Sequence, residues 1–450
     1  MIDMTTVGQL FELFKQHYGV SQAEASSVFE GQRDLLEFTI GMGRQLERQL
    51  FAALGTGYCG AKVIYNSAEY RFKGYRKRTM HGLFGKVTVK RAHYVGPQGE
   101  SWYPVDEKLP PSGHTPGLQY YLSQFTGQGA YEKALRLFHE IFRPDGREQI
   151  SMRKSLDMDY ALGKRLERLR SHEIERWREQ EHRIESSSPI QGTMAVSIDA
   201  TKLREKLGEE RTTDGKKRYD IGFKDVKVGV VSRIEWDEQQ QEAVCADSSY
   251  VGGVEYADTF FERLAFEMQR RTGTVEPEQL VFLGDGAEWI WDRVGELSEE
   301  NSIEILDFYH ATEHLSEICK ELFGEQTPDY WQHYRRWRSL LHDGRADRII
   351  EILKELQRST TDQGCVRMLL REITYFERNL SRMRYPEYRA LGLPIGSGTV
   401  ESACKNVIGG RMKQGGMTWS TSGADGMIQI RCSQESHRFL SDFRQLCAAA

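Results

Sequence analysis

Leu280-Val-Phe-Leu-Gly-Asp285-Gly-Ala-Glu-Trp289 decides the fold of this chain. A short apolar run that stops at an Asp between two glycines reads as a buried strand ending in a tight turn. A second run, Met194-Ala-Val-Ser-Ile-Asp199, stops in the same way. Strands that are apolar on both faces belong to covered sheets, and in such α/β sheets functional groups collect at the carboxyl ends of the strands. Working outward, the pattern predicts strands at 193–199, 226–236, 241–247, 279–284 and 303–307, with helices at 256–271 and 286–297. That alternation predicts a central sheet. Residues 311–388 read as helical and are rich in Trp, Tyr and Arg, and 398–440 reads as helical again.

A third acid stands in Ile395-Gly-Ser-Gly-Thr-Val-Glu401-Ser, in the first turn of a helix behind a glycine-rich loop. Each acid has an ordinary reading of its own. Asp starts turns after strands, and Glu in a first helical turn complements the helix dipole. Together, two Asp at strand ends and a Glu at a helix start supply the hard oxygen ligands that Mg²⁺ prefers. Two such ions about 3.5–4 Å apart clamp the attacking and leaving oxygens of a phosphoryl transfer.

At 450 residues, with 39% hydrophobic and 28% charged residues, the chain suits a multidomain globular protein. It contains no apolar run of the roughly 18 residues that a membrane span needs. Its start, Met-Ile-Asp-Met-Thr-Thr, has no signal-peptide character. Seven scattered Cys with no C-x-x-C pair read as reduced thiols of a cytosolic protein. The formal net charge of −5 disfavours a polyanion partner, yet residues 56–95 hold nine Lys/Arg against one acid, Glu69. Lys73, Arg76, Lys77, Arg78, Lys90 and Arg91 lie there on strand-like stretches, interleaved with Tyr and Phe, as in a nucleic-acid surface.

The expected organisation is an N-terminal helical region (1–55), a basic β region (56–116) and a helical stretch (117–186). The helical stretch is either a helix-turn-helix or a plain bundle, and it ends in a highly charged bridging helix, polar nearly all round, before Ser186-Ser-Ser-Pro. The first part of the core follows (190–310), then a helical insertion (311–390), then a second part that carries Glu401 (391–450).

Four motifs resemble those of the Kra-type family of bacterial insertion-sequence transposases. They are Ser-Ile-Asp199-Ala-Thr, Gly-Asp285-Gly-Ala-Glu-Trp-Ile-Trp, Asp307-Phe-Tyr-His310-Ala-Thr-Glu-His314-Leu and Ile395-Gly-Ser-Gly-Thr-Val-Glu401-Ser-Ala-Cys-Lys. The resemblance covers about 195–432 and implies a ribonuclease-H-like α/β core split by an all-helical insertion. It implies Asp199, Asp285 and Glu401 as ligands of two Mg²⁺ ions, with Mn²⁺ as a substitute, and His310 beside the scissile phosphate. It also implies an insertion-domain Trp, Trp331 or Trp337, stacked on a displaced base. Lys405, Arg411 and Lys413, beyond Glu401 on the same helix, are placed to hold phosphate. Asp307, His310 and His314 taken alone read either as a zinc site or as a structural histidine pair. Some relatives in that family carry a Cys pair after the basic strands, and 93–104 has none.

The expectation is thus a DDE-type DNA transposase that cuts transposon ends and joins them to target DNA. It would act on double-stranded DNA as a homodimer, in the bacterial cytoplasm at the nucleoid. The alternatives are a ribonuclease-H-like nuclease without joining activity and a transposase-derived DNA-binding protein that has lost catalysis.

Overall fold

The computed structural model describes residues 8–10, 12–14, 16, 25–143, 146, 148–180, 186, 189–211, 217–297, 302–396 and 398–449, without the side chains of 25–28, 209–211, 217 and 399–401. The chain falls into two compact units. One is Met1–Leu162 with Phe443–Ala450, the other Gly163–Asp442.

In the first unit, helix α1 (Ala25–Ala52) precedes an antiparallel sheet of β1 (Lys62–Tyr65), β2 (Ala68–His81), β3 (Lys86–Val95) and β4 (Ser101–Trp102), ordered 1-2-3-4. Strand alternation gives the β2–β3 ribbon two unlike faces. Met80 and Val89 face a small core with Val105 and Leu109. On the opposite face Lys77 pairs directly across from Lys90, and Thr79 from Thr88. Helices α2 (Pro116–Gln128) and α3 (Tyr131–Phe142), joined by Gly129-Ala130, then pack through Leu118, Leu122, Leu135 and Phe138.

The boundary between the units falls inside α4 (Met152–Glu179), so the segment expected at 117–186 is divided. Nor is that helix polar all round. Ile174 and Trp177 are buried against Phe266. The expected linker after it lies partly outside the described residues.

The second unit is built on a five-stranded mixed sheet, ordered β7-β6-β5-β8-β9. Its strands are β5 (Thr193–Arg211), β6 (Lys217–Asp237), β7 (Glu242–Gly253), β8 (Gln279–Gly284) and β9 (Ile303–Leu306). β5, β6 and β7 are antiparallel neighbours, whereas β8 and β9 run parallel to β5. β5 and β6 extend well past the expected limits as a long two-stranded arm, in which charged residues interrupt the apolar ones.

Alternation assigns each face its own core. Met194, Val196, Ile198, Leu280 and Phe282 pack against α5 (Ala257–Thr272) and α6 (Glu288–Leu297) through Phe260, Leu264 and Ile290. Ala195, Val281 and Leu283 face a helical layer. That layer consists of α7 (Phe308–Phe323), α8 (Pro328–His342), α9 (Ala346–Ser359), α10 (Gln363–Arg378) and α11 (Tyr385–Ala390). Its amphipathic helices close over a core that includes Trp337, Leu341, Ile349, Leu369 and Phe376. The chain then runs through α12 (Gly398–Ala403), a π-helical segment at Cys404–Gly409, the short α13 (Gly410–Met412), α14 (Thr421–Glu435) and α15 (Phe439–Ala448).

A buried charge network ties four of these elements together. Glu267 on α5 binds Arg438 at 2.9 Å and also Arg270, while Asp442 binds Arg170 of α4 at 3.1 Å and accepts from Ser433 at 2.7 Å. Burial alone would raise the Glu267 carboxyl, but Arg438 and Arg270 hold it well below its usual range. A depressed folded pKa stabilises the fold above the ordinary carboxylate pKa, and that stabilisation fades as pH falls toward the folded value. Glu267→Gln leaves two cations without their counterion and should cost about 3–5 kcal/mol. Thermal melts from pH 7 down to pH 3 should show a lower Tm at neutral pH and a shallower loss on acidification than the wild type shows.

Candidate active site

β5 and β8 pair in parallel up to Ile198 opposite Gly284, so the next residues, Asp199 within β5 and Asp285 just after β8, follow side by side where that pairing ends. Both continue the alternation of Ala195, Val281 and Leu283, which places them on the face carrying the helical layer. The turn after β8 is held in several ways. Asp285 Oδ1 accepts from the Ala287 amide at 2.9 Å, and the Asp285 carbonyl accepts from Trp291 Nε1 at 2.7 Å. Asp199 Oδ1 accepts from the Ala200 amide at 2.6 Å. Burial pushes the Asp199 carboxyl up, and the neighbouring Asp285 charge pushes the same way. A hydrogen bond from the Cys404 thiol, the Ala200 amide and the nearby His310 oppose the shift.

Glu401 lies on α12, which packs on β5 and β6. Its side chain is outside the described residues, so only the placement of its helix is known. Three residues on, Cys404 begins the π-helical segment and reaches Asp199. π-Segments inside helices concentrate at functional sites. The thiol is buried, and burial together with Asp199 drives its pKa far up, so it serves as a donor to the carboxylate. Sequence reading passed over Cys404, although it sits within the Glu401 motif. The signal was available in its position one turn beyond a candidate ligand. Further on, the Lys413 ammonium hydrogen-bonds to Thr201 Oγ1, two residues past Asp199.

Asp307 caps α7, with Oδ1 accepting from the Tyr309 and His310 amides at 2.6 and 3.2 Å, while its own amide donates to the Gly284 carbonyl at 2.8 Å. The cap joins the start of α7 to the end of β8 and so brings His310 within the electrostatic reach of Asp199. His310 Nδ1 lies 3.4 Å from Glu313. His314 Nδ1 is 2.6 Å from the buried Glu372 carboxylate, and its ring stacks on Tyr375 at 3.7 Å between centroids. Among the described residues no group of three His, Cys, Asp or Glu side chains is arranged to hold a metal ion, and this includes Asp307, His310 and His314. The described part of the candidate metal centre is therefore the Asp199–Asp285 pair.

Tyr375 was also missed, because nothing in Ile-Thr-Tyr375-Phe-Glu marks it. Its ring occupies the space in front of Gly286, where a Cβ would collide with it. Among the described residues its buried hydroxyl has no hydrogen-bond partner. An unsatisfied buried hydroxyl costs about 1–3 kcal/mol.

The remaining expected residues are dispersed. Trp337 is 1% exposed and belongs to the core of the helical layer, whereas Trp331 is 41% exposed with Arg335 over its ring. Arg411 is buried against Trp419, while Lys405 and Lys413 are exposed. In the first unit Lys73, Arg76, Lys77 and Lys90 are exposed. Arg78 and Arg91 are both committed to Asp106, and Arg91 also lies over the Tyr103 ring.

No protein-family model matches the chain, and no curated protein shows detectable similarity to it. No described helix is long and apolar enough to cross a membrane.

The raised Asp199 pKa gives a stability prediction with a definite sign. A carboxyl whose folded pKa lies above its unfolded one destabilises the fold at high pH, and the penalty vanishes below the unfolded value. Asp199→Asn should stabilise the divalent-free protein at pH 7.5 by on the order of 1 kcal/mol, or roughly 2–4 °C in Tm. The gain should disappear when the melts are repeated near pH 4.

Proposed function

We propose that this protein is a DDE-type DNA transposase whose second unit is a ribonuclease-H-like core interrupted by the helical layer α7–α11. The observation that carries the reading is the in-register parallel pairing of β5 and β8, which sets Asp199 and Asp285 side by side where that pairing ends. The 7-6-5-8-9 order of the sheet supports it, with three antiparallel strands followed by two parallel ones. The helical layer stands between Asp285 and Glu401 in the chain, as the motif order requires.

The donor set fits a hard divalent cation. Two carboxylates stand together, and one is driven toward its neutral form by burial and by its neighbour. Asp199 and Asp285, with Glu401 as the third ligand, would hold Mg²⁺ or Mn²⁺. Such ions supply polarisation of phosphate oxygens and a lowered pKa for an attacking water or 3′-hydroxyl. The other residues act on the DNA and on the carboxylates. Lys413 and Lys405 offer exposed cations for the phosphate backbone, and His310 stands next to Asp199 as a hydrogen-bonding group for the phosphate. Cys404 and the Ala200 amide fix the orientation of the Asp199 carboxylate.

The basic sheet of the first unit is assigned to holding the transposon ends. Like charges directly opposite on a ribbon destabilise it, and Lys77 faces Lys90 with no carboxylate paired to either among the described residues. A phosphate backbone would relieve that repulsion. A homodimer follows from the need to handle two ends together.

Asp285→Asn should abolish cleavage of a labelled transposon end, to below about 1% of the wild-type rate, while leaving end binding in a mobility-shift assay intact; full strand transfer by this variant would sink the reading. Supplying pre-cut ends with a target plasmid separates the alternatives. Joined product supports a transposase. Cleavage without joining indicates a nuclease, and binding with neither indicates a non-catalytic derivative. Lys77→Ala/Lys90→Ala should weaken DNA binding about equally across sequences and lower the salt slope by about 2. An unchanged slope would remove the sheet from the DNA interface.

A further inference from the structure

We propose that the outer face of α1 is a self-association surface, on which a second copy of this chain docks its own α1. Its use in joining two DNA-bound copies rests on the function proposed above; the surface itself does not.

One side of α1 is committed to its own unit. Ile40 is buried, and Gly43 lies against the Phe84 ring. The two Glu47 carboxylate oxygens accept from the Leu83 and Phe84 amides at 2.9 and 3.1 Å, and Arg44 Nε donates to the Phe84 carbonyl at 2.8 Å. On another side Phe38 meets Phe14, with 5.7 Å between ring centroids. Between these two sides the helix is uncovered. Phe29, Leu35, Leu36, Leu46 and Leu50 are each between 42% and 68% exposed. An α-helix turns by about 100° per residue, so these five fall in one stripe about 120° wide. Along it Leu35, Thr39, Met42 and Leu46 follow the alternating four- and three-residue steps of a helix–helix seam. The one hydroxyl of the seam is satisfied within the helix, since Thr39 Oγ1 donates to the Leu35 carbonyl at 2.8 Å.

Charge and area select the occupant. Of the charged residues of α1, Glu47 stands at the edge of the stripe and is turned onto the Leu83 and Phe84 amides. Glu30, Arg33, Asp34, Glu37, Arg44 and Arg48 all fall outside it. A phosphate backbone would therefore find no cation there. Helices that lie on membranes are flanked by Lys and Arg, whereas α1 carries four acids against three arginines and no lysine. What the stripe fits is an uncharged apolar helix face, and a second α1 supplies one of matching length. The five exposed side chains leave on the order of 500 Å² in solvent, toward the upper end of what a monomer shows in one patch. Covering them on two copies removes about 1,000 Å², the area at which a specific interface begins. A two-fold dimer makes such a contact with the same patch on both copies, and Thr39, at the middle of the stripe, then faces its own counterpart. Helix α1 belongs to the same unit as the basic sheet, so the pairing would bring two such sheets into one particle, one for each DNA end.

The test is sedimentation velocity of the full-length protein at micromolar concentrations, without DNA or divalent cations, for the wild type, Leu35→Glu/Leu46→Glu and Asp285→Asn. The wild type should sediment as a dimer. Both leucines are exposed, so the double variant should keep its circular dichroism spectrum while its dimer weakens by about 100-fold or more, as carboxylates are driven into an apolar contact. A monomeric wild type, or a double variant that dimerises as tightly as the wild type, overturns the inference. Should the double variant lose helix signal, oxidation of single-cysteine additions decides. Thr39→Cys should give a disulfide-linked dimer above the wild-type background, and Arg48→Cys, on the opposite face of α1, should not. Equal yields from the two, or none from Thr39→Cys, overturn the inference. Asp285→Asn should remain a dimer. A protein that dimerises through α1 yet neither cuts nor joins DNA overturns the proposed function and leaves this surface standing.

Discussion

The parallel pairing of β5 with β8 is the constraint on which the second unit depends. Parallel neighbours cannot be joined by a hairpin, so the chain between them must leave the sheet and return. It does so through β6, β7 and α5, and these make the antiparallel half of the sheet and cover one of its faces. The same pairing brings two acids together at a cost in electrostatic repulsion. The surroundings of the pair offset part of that cost locally, through the Cys404 thiol, the Ala200 and Ala287 amides and the nearby His310. An arrangement that disfavours its own charged form in the empty state is suited to binding a cation.

Much of this was readable from the sequence where side-chain periodicity and chain geometry coincide. Leu280–Leu283 is apolar without interruption, glycine follows, and the strand ends at Gly284 as expected. Thr193–Ile198 was equally clear, but β5 continues to Arg211. Beyond Asp199 the pairing with β6 continues, but the apolar residues of the arm, Leu203, Leu207, Ile221 and Phe223, are scattered among charged ones and form no continuous run. The bridging helix was misjudged for a related reason. Its few buried residues, Ile174 and Trp177 among them, are diluted by Arg and Glu, yet they make a real contact with α5. Basic residues on β2 and β3 could be counted but not sorted, because only the three-dimensional pairing shows that Arg78 and Arg91 serve Asp106 while Lys77 and Lys90 do not.

Candidate acids were legible because they end apolar runs. Their supporting groups were not. Cys404 and Tyr375 come from segments 205 and 176 residues after Asp199, and each meets the acids or their turn through a contact that the fold creates. The Asp307–His310 pair was noticed as a motif, whereas its function in the fold is mechanical. The carboxylate caps a helix, and the amide beside it bonds to the last carbonyl of β8. That single joint positions the first helix of the layer, and with it His310 and His314.

The π-helical turn at Cys404–Gly409 has a consequence for how this region tolerates change. With the Gly410 amide bonded to the Lys405 carbonyl, the turn carries one residue more than an α-helix would use. Each residue of an α-helix turns the chain by about 100°. Shortening the segment by one residue would therefore leave its composition almost intact and rotate everything after it, moving Lys413 off Thr201. The spacing between Glu401 and Lys413 is thus a matter of angular phase rather than length, and insertions or deletions there should be tolerated far less than substitutions.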